Sequence, residues 1–235
     1  PAAITLSPAP RLVNLSSRGF VGAGETVMIT GVVVSDTAGK RYLARAAGPT
    51  LGSFGVSGAL PSPVLTILDA SGKEIARNSD WQKGPGSDDI PDVTKAVGAF
   101  PFAKANKDAA ILTTLPYGNY TLQVSSADTA TGVALVELYE VDAAVGRTLN
   151  LSTRGLVRSG EGLLIGGVVV RGPGPKQLLI RAVGPTLGSF GVGSTLADPV
   201  LNVFSGDRVL AANDDWGTPA TGAATPAAIA AAAAS

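Results

Sequence analysis

Residues Arg11 to Leu65 align without a gap on Arg147 to Leu201 at a constant offset of 136, with about 31 of 55 positions identical. Internal similarity of this length marks one domain used twice, so the chain can fold only into structures built from two related halves. The copies share Arg-x-x-Asn-Leu-Ser-x-Arg-Gly from Arg11 and Arg147, the runs Val32-Val33-Val34 and Val168-Val169-Val170, and Gly-Pro-Thr-Leu-Gly-Ser-Phe-Gly-Val from Gly48 and Gly184. After Leu65 one residue drops out, and Trp81 then answers Trp216. The first copy runs on to Val141, whereas the 235 residues hold no counterpart of Gly98 to Glu140 in the second. The expected organisation is an arm over 1–10, a complete repeat over 11–141, a short linker over 142–146 and a C-terminally incomplete repeat over 147–235.

A repeat without its last strands leaves apolar surface uncovered, and composition bears on what covers it. Only 15% of residues are charged and mean hydropathy is +0.29, against about 25% charged in ordinary soluble domains. No apolar run reaches the roughly 18 residues of a membrane helix, so no membrane span is expected. Either other subunits cover much of the surface, or the chain is a Gly/Ala/Thr-rich extracellular β-protein. A net charge of zero and a pI near 6.9 offer nothing to nucleic acid or an anionic membrane. With no Cys and no His, disulfides, thiolate chemistry, imidazole bases and most zinc or haem ligation are excluded by residue type. The chain begins with Pro1 rather than Met, as a processed product or a piece of a longer protein would.

Period-two alternation dominates. Tyr120, Leu122 and Val124 alternate with Thr121, Gln123 and Ser125, and Ala134, Val136 and Leu138 with Leu135, Glu137 and Tyr139. Pro116, Gly118 and Asn119 separate the first of these from a strand over 109–115. Further strands are predicted over 26–34 and 41–46 around the Asp36 to Gly39 turn, repeated in the second copy around Gly172 to Pro175, and over 64–68 and 73–76 around Ser71-Gly72. About eight or nine short strands per complete repeat predict an all-β fold: two tandem antiparallel β-sandwiches of jelly-roll type. One short helix is expected in each copy. Pro91 opens the first and Gly98 closes it; Thr225-Pro226 opens an Ala-rich stretch over 227–234 that includes Ile229.

The combined motifs resemble repeats of large secreted proteins from environmental, verrucomicrobial-type bacteria. The matching elements are Arg11 to Gly19, Arg45 to Leu51, Asn78 to Trp81 and Tyr120 to Tyr139, with Ala44 departing from the Ile that Ile180 keeps. The resemblance covers the chain after Pro10 and implies a secreted, surface-located β-repeat. A shorter pattern, Asp198-Pro-Val-Leu followed by Val209 to Asp215, is similar to the bacterial pre-peptidase C-terminal domain and implies a calcium site.

Asp198, Asn213, Asp214 and Asp215 are hard oxygen donors of the kind Ca²⁺ takes; the alternative is a turn in which Asn and Asp bond their own backbone. The first copy holds Ser62, Asn78, Ser79 and Asp80 instead. Arg18, Glu25 and Arg45 recur as Arg154, Glu161 and Arg181, and an Arg on an apolar strand needs a partner because an unpaired buried guanidinium is costly. A structural ion pair is the expectation, an anion or sugar contact the alternative. The Gly48 to Val56 element lacks the Lys-Ser/Thr and helix of a phosphate loop and is expected to be a tight loop whose Phe54 and Phe190 plug the sandwich. Trp81 and Trp216 are expected to close the ends of their sandwiches, with sugar stacking as the alternative. Neither Asp88/Asp89, on a Gly/Ser-rich loop, nor Glu137/Glu140 resembles the carboxylate pair of a glycosidase, so no enzyme is expected.

The functional expectation is a secreted structural protein that polymerises with itself head-to-tail, its incomplete repeat completed by strands from another chain; its rival is that the 235 residues belong to a longer protein whose remainder finishes the repeat. The assembly residues would be Ile4, Thr5 and Leu6 in the arm, which supplies one strand, and Ile229. The competing expectation is an adhesive or carbohydrate-binding accessory module that takes surface glycans.

Overall fold

The structure is a computed structural model that describes residues 9–35, 39–142 and 146–218. The fold is all-β. Among the described residues the strands are β1 (Arg11–Val21), β2 (Met28–Ser35), β3 (Lys40–Ala47), β4 (Pro63–Leu68), β5 (Glu74–Asn78), β6 (Ala109–Leu115), β7 (Gly118–Ser126), β8 (Gly132–Glu140), β9 (Arg147–Arg154), β10 (Ile165–Arg171), β11 (Leu201–Ser205) and β12 (Arg208–Asn213), with one α-helix, α1 (Ile90–Val97), and short 3₁₀ turns. The chain divides into two compact units after Pro175, beyond the 142–146 linker, because β9 and β10 hydrogen-bond into the sheet of the first repeat.

In the first unit the antiparallel order is β5-β4-β7-β2-β9-β1-β8-β3-β6, with β10 also on β1. The two ends of this order, β5 and β6, meet, so the sheet nearly closes on itself. Alternation becomes burial: in β2, Met28, Thr30, Val32 and Val34 point inward and the residues between them outward. The interior gathers these with Tyr42, Ala44, Leu65, Ile67, Leu122, Val124, Ala134 and Val136. β3 departs from alternation because both of its faces are covered. Its second face, Leu43 and Ala47, packs under α1, Trp81 and the Phe100–Phe102 loop. α1 has Pro91 in its first turn and ends at Gly98, whose φ of 77° suits a residue without Cβ and whose N–H bonds the Lys95 and Thr94 carbonyls.

The two copies meet by exchange. β1 pairs with β10 and β2 with β9, in registers that are copies of one another: Leu15 opposite Val168 answers Leu151 opposite Val32, and Arg18 opposite Ile165 answers Arg154 opposite Ile29. The ladders also slip at equivalent places, at Val13 and at Leu149. Residues therefore meet their own counterparts, at Leu12 and Thr148, at Phe20 and Leu156, and at Ser17 and Thr153, whose hydroxyls lie 2.5 Å apart. The arrangement has local two-fold symmetry. Gly31 and Gly167 suit it: a Cβ at Gly31 would lie 2.5 Å from Ser152 Oγ, and one at Gly167 equally close to Ser16 Oγ.

The second unit contains the β11–β12 hairpin, turned at Gly206 (φ 58°), and a short 3₁₀ helix over Pro185–Phe190. The strand expected after the Gly172 to Pro175 turn does not form: residues 176–183 have no ladder partner. Their counterpart β3 owes its form to β8 on one edge and β6 on the other. Strands equivalent to those two are absent among the described residues. The predicted second helix, with Ile229, and the arm segment Ile4-Thr5-Leu6 lie outside the described residues.

Candidate functional site

The chemistry-bearing residues of the first repeat converge on β3 and the strand beside it. Arg45 stands opposite Glu137 in the β3–β8 ladder, with Nη1 3.5 Å from Glu137 Oε2 and both side chains buried. Arg45 Nη2 donates to the Phe100 carbonyl at 2.8 Å, and the guanidinium lies 3.9 Å from the Phe102 ring centre and 4.5 Å from that of Phe100. Tyr139 donates its hydroxyl to Glu137 Oε1 at 2.7 Å. Burial pulls the Arg45 guanidinium below its ordinary value, with Glu137 opposing. Burial likewise pushes Glu137 up against the pull of Arg45 and the Tyr139 hydroxyl. The charges offset each other's burial electrostatically, although Arg45 Nη1 and Glu137 Oε2 face each other without a hydrogen bond. The expected structural ion pair at Arg45 is therefore present, and its partner is Glu137. Of Glu25 and Glu161 no side chain is described.

A second buried cluster lies at the other end of β3. Lys40 Nζ is 3.4 Å from Glu140 Oε2 and 3.2 Å from Asp142 Oδ1, and Arg11 Nε is 3.7 Å from Glu140 Oε2. Glu140 also accepts from the Thr148 backbone N–H and hydroxyl. Both β8 glutamates are thus committed to cations. At the loop end, buried Asp108 accepts from the Gly48 and Thr50 amides at 2.8 and 3.4 Å and from the Thr50 hydroxyl. It holds the Gly-Pro-Thr turn in place. Gly48 is required there because a Cβ would collide with the Leu60 carbonyl, and Gly184 stands in the same relation to Leu196. Lys40 and Asp108 were missed by sequence reasoning, and Glu140, weighed there only as half of a glycosidase pair, is instead a buried partner of Lys40; an acidic residue just before an apolar strand is the one local signal Asp108 offered.

Phe54 does not plug the sandwich: it is 61% exposed and packs edge-on to Phe100 at 5.0 Å, while Phe190 is 78% exposed. The turn following each phenylalanine is closed by a glycine at positive φ, Gly55 or Gly191. Trp81 closes its end of the fold at 7% exposure against Phe102, but Trp216 is 72% exposed. Asn78 and Asn213 make the same bracket in both copies, donating from Nδ2 to the Asp80 and Lys83 carbonyls and to the Asp215 and Thr218 carbonyls. The Asn213 amide is thus part of a turn. Among the described residues Asp198, Asp214 and Asp215 do not gather with one another into a metal-ligating group, and no helix is long and apolar enough to cross a membrane.

The copies differ most where β3 and β4 have their counterparts. Leu43 is fully buried and Leu179 is 40% exposed; Val64 is 1% exposed and Val200 61%. Tyr42 and Ala44 are buried, whereas Leu178 and Ile180 are exposed. Lys176 and Arg181, which answer Lys40 and Arg45, are exposed and make no ion pair among the described residues; Arg154, the counterpart of half-buried Arg18, is exposed on β9. Identical residue types that make a core in one copy thus form surface in the other. No protein-family model matches this chain, and neither characterised proteins nor solved structures show a match to it.

Proposed function

We propose that the chain is a non-catalytic structural protein of the cell exterior that assembles head-to-tail into a filament or sheath, its second repeat completed by strands of a neighbouring chain. The observation that carries this reading is the exposure of Leu178, Leu179, Ile180, Val200 and Trp216 at positions whose counterparts form a core. A strand that covers about 400 Å² of such surface is worth on the order of 10 kcal/mol gross, so the exposed face favours capture of one. The two-fold pairing of β1 with β10 and β2 with β9 closes on itself and cannot propagate. Growth requires a different, heterologous contact, and the uncovered residues after Pro175 offer one. Within the first repeat the carboxylates that a hydrolase would use, Glu137 and Glu140, are buried against Arg45, Lys40 and Arg11, which supports a non-catalytic role. The extracellular location rests on the resemblance to secreted repeats. Negative-stain microscopy and sedimentation of the purified chain test the reading: ordered fibres that grow with concentration are expected, and a monodisperse monomer at all concentrations would refute it.

The exposed Trp216 ring favours a second reading, an adhesive or carbohydrate-binding module. Saturable glycan binding by monomer, abolished by Trp216→Ala, would favour it over assembly.

A further inference from the structure

We infer that residues 176–183 are the docking edge for one particular kind of strand, an antiparallel strand from another polypeptide that has the β8 pattern of apolar residues and places a glutamate opposite Arg181. This rests on the assembly reading and gives the completing strand its chemistry. In the first repeat β8 sets Tyr139, Leu138 and Glu137 opposite Leu43, Ala44 and Arg45. It thereby covers the apolar residues and neutralises Arg45, while its Glu140 neutralises Lys40. Residues 176–183 keep both cations, Lys176 and Arg181, at the same spacing and keep Leu179, with Leu178 and Ile180 where Tyr42 and Ala44 stand. Arg147, the counterpart of Arg11, is likewise kept on β9 and exposed. A strand without carboxylates could cover the apolar residues but would bury Arg181 unpaired, a penalty large enough to reject it. Charge thus selects among strands that hydrophobicity alone would accept.

The test uses the whole chain and a fluorescently labelled peptide of the sequence of residues 131–141. Saturable binding by anisotropy is expected, weakened at least about tenfold by the chain variant Arg181→Glu. The peptide change Glu137→Arg is expected to weaken binding to the unaltered chain and restore it to Arg181→Glu, a charge-swap rescue that a misfolded variant would not show. A peptide that does not bind, or binds the variant as tightly with no rescue, overturns the inference. Fibres from a chain that neither binds the peptide nor responds to Arg181→Glu would leave assembly standing and overturn the strand assignment alone.

Discussion

Arg45 and Arg181 occupy the same place in the same repeated motif, yet one is a fully buried guanidinium held by Glu137, Phe100 and Phe102 and the other is solvated. What separates them lies in neighbouring strands rather than in their own segment. Leu43 and Leu179, or Trp81 and Trp216, differ in the same sense. A motif of this kind encodes half of a core, and the other half arrives from β6, β8 and the loop that carries Phe100 and Phe102. Burial here is a property of the pair of segments, which is why the same motif is interior in one copy and surface in the other.

The comparison can be broken most severely at the arginines. Arg45→Ala leaves Glu137 buried without its partner and is expected to cost about 3–5 kcal/mol in denaturant unfolding, whereas Arg181→Ala should fall within about 0.5 kcal/mol in monomer. Equal costs at both sites would mean that Arg181 is already covered. Trp81→Ala should cost about 3–5 kcal/mol and Trp216→Ala close to nothing, by the same measurement. A third contrast is chemical. Burial raises Tyr42 from 10.0 to about 12, while its counterpart Leu178 does not titrate. Because the folded value is the higher one, stability is fully present below pH 10 and is lost as pH rises towards 12, by on the order of 2 kcal/mol. Tyr42→Phe should make that part of the profile shallower, read from unfolding free energy against pH, while burial-raised Tyr120 and Tyr139 keep a residual slope. The smallest effect belongs to the two-fold contact: Ser17→Ala or Thr153→Ala should each cost about 1 kcal/mol, and the double variant little more than either single one, since both remove the same hydroxyl pair.

Much of this fold is legible in the chain. Alternation at Tyr120, Leu122 and Val124 marks β7, Ser71-Gly72 marks the β4–β5 turn, and Pro91 with Gly98 brackets α1, because each signal is local and the physics behind it acts over a few residues. The exchange of strands between copies is not legible. β2 and β10 carry nearly the same sequence, so nothing local tells β1 which of them to pair with. The Arg45 partner was anticipated in kind but not in identity, since Glu137 lies in a strand 92 positions away. Phe54 was misread because a large aromatic within a Gly-rich loop suggests burial, while its actual contact, Phe100, lies 46 positions away. The organising role of Asp108 depends on orphan amides at Gly48 and Thr50 some 60 residues earlier, a need that becomes visible only once the turn exists.

The pairing of β1 with β10 has a consequence for how the protein is made. When Ser35 is joined to the growing chain, the edges of β1 and β2 that will receive the second copy have no partner, and Arg171 is still 136 residues from synthesis. At about 5–20 residues per second that interval is on the order of ten seconds. During it the nascent first repeat carries two open strand edges that a neighbouring nascent chain could fill with its own equivalents. The spacing of the duplication therefore sets a period in which translation on crowded polysomes and correct intramolecular closure compete.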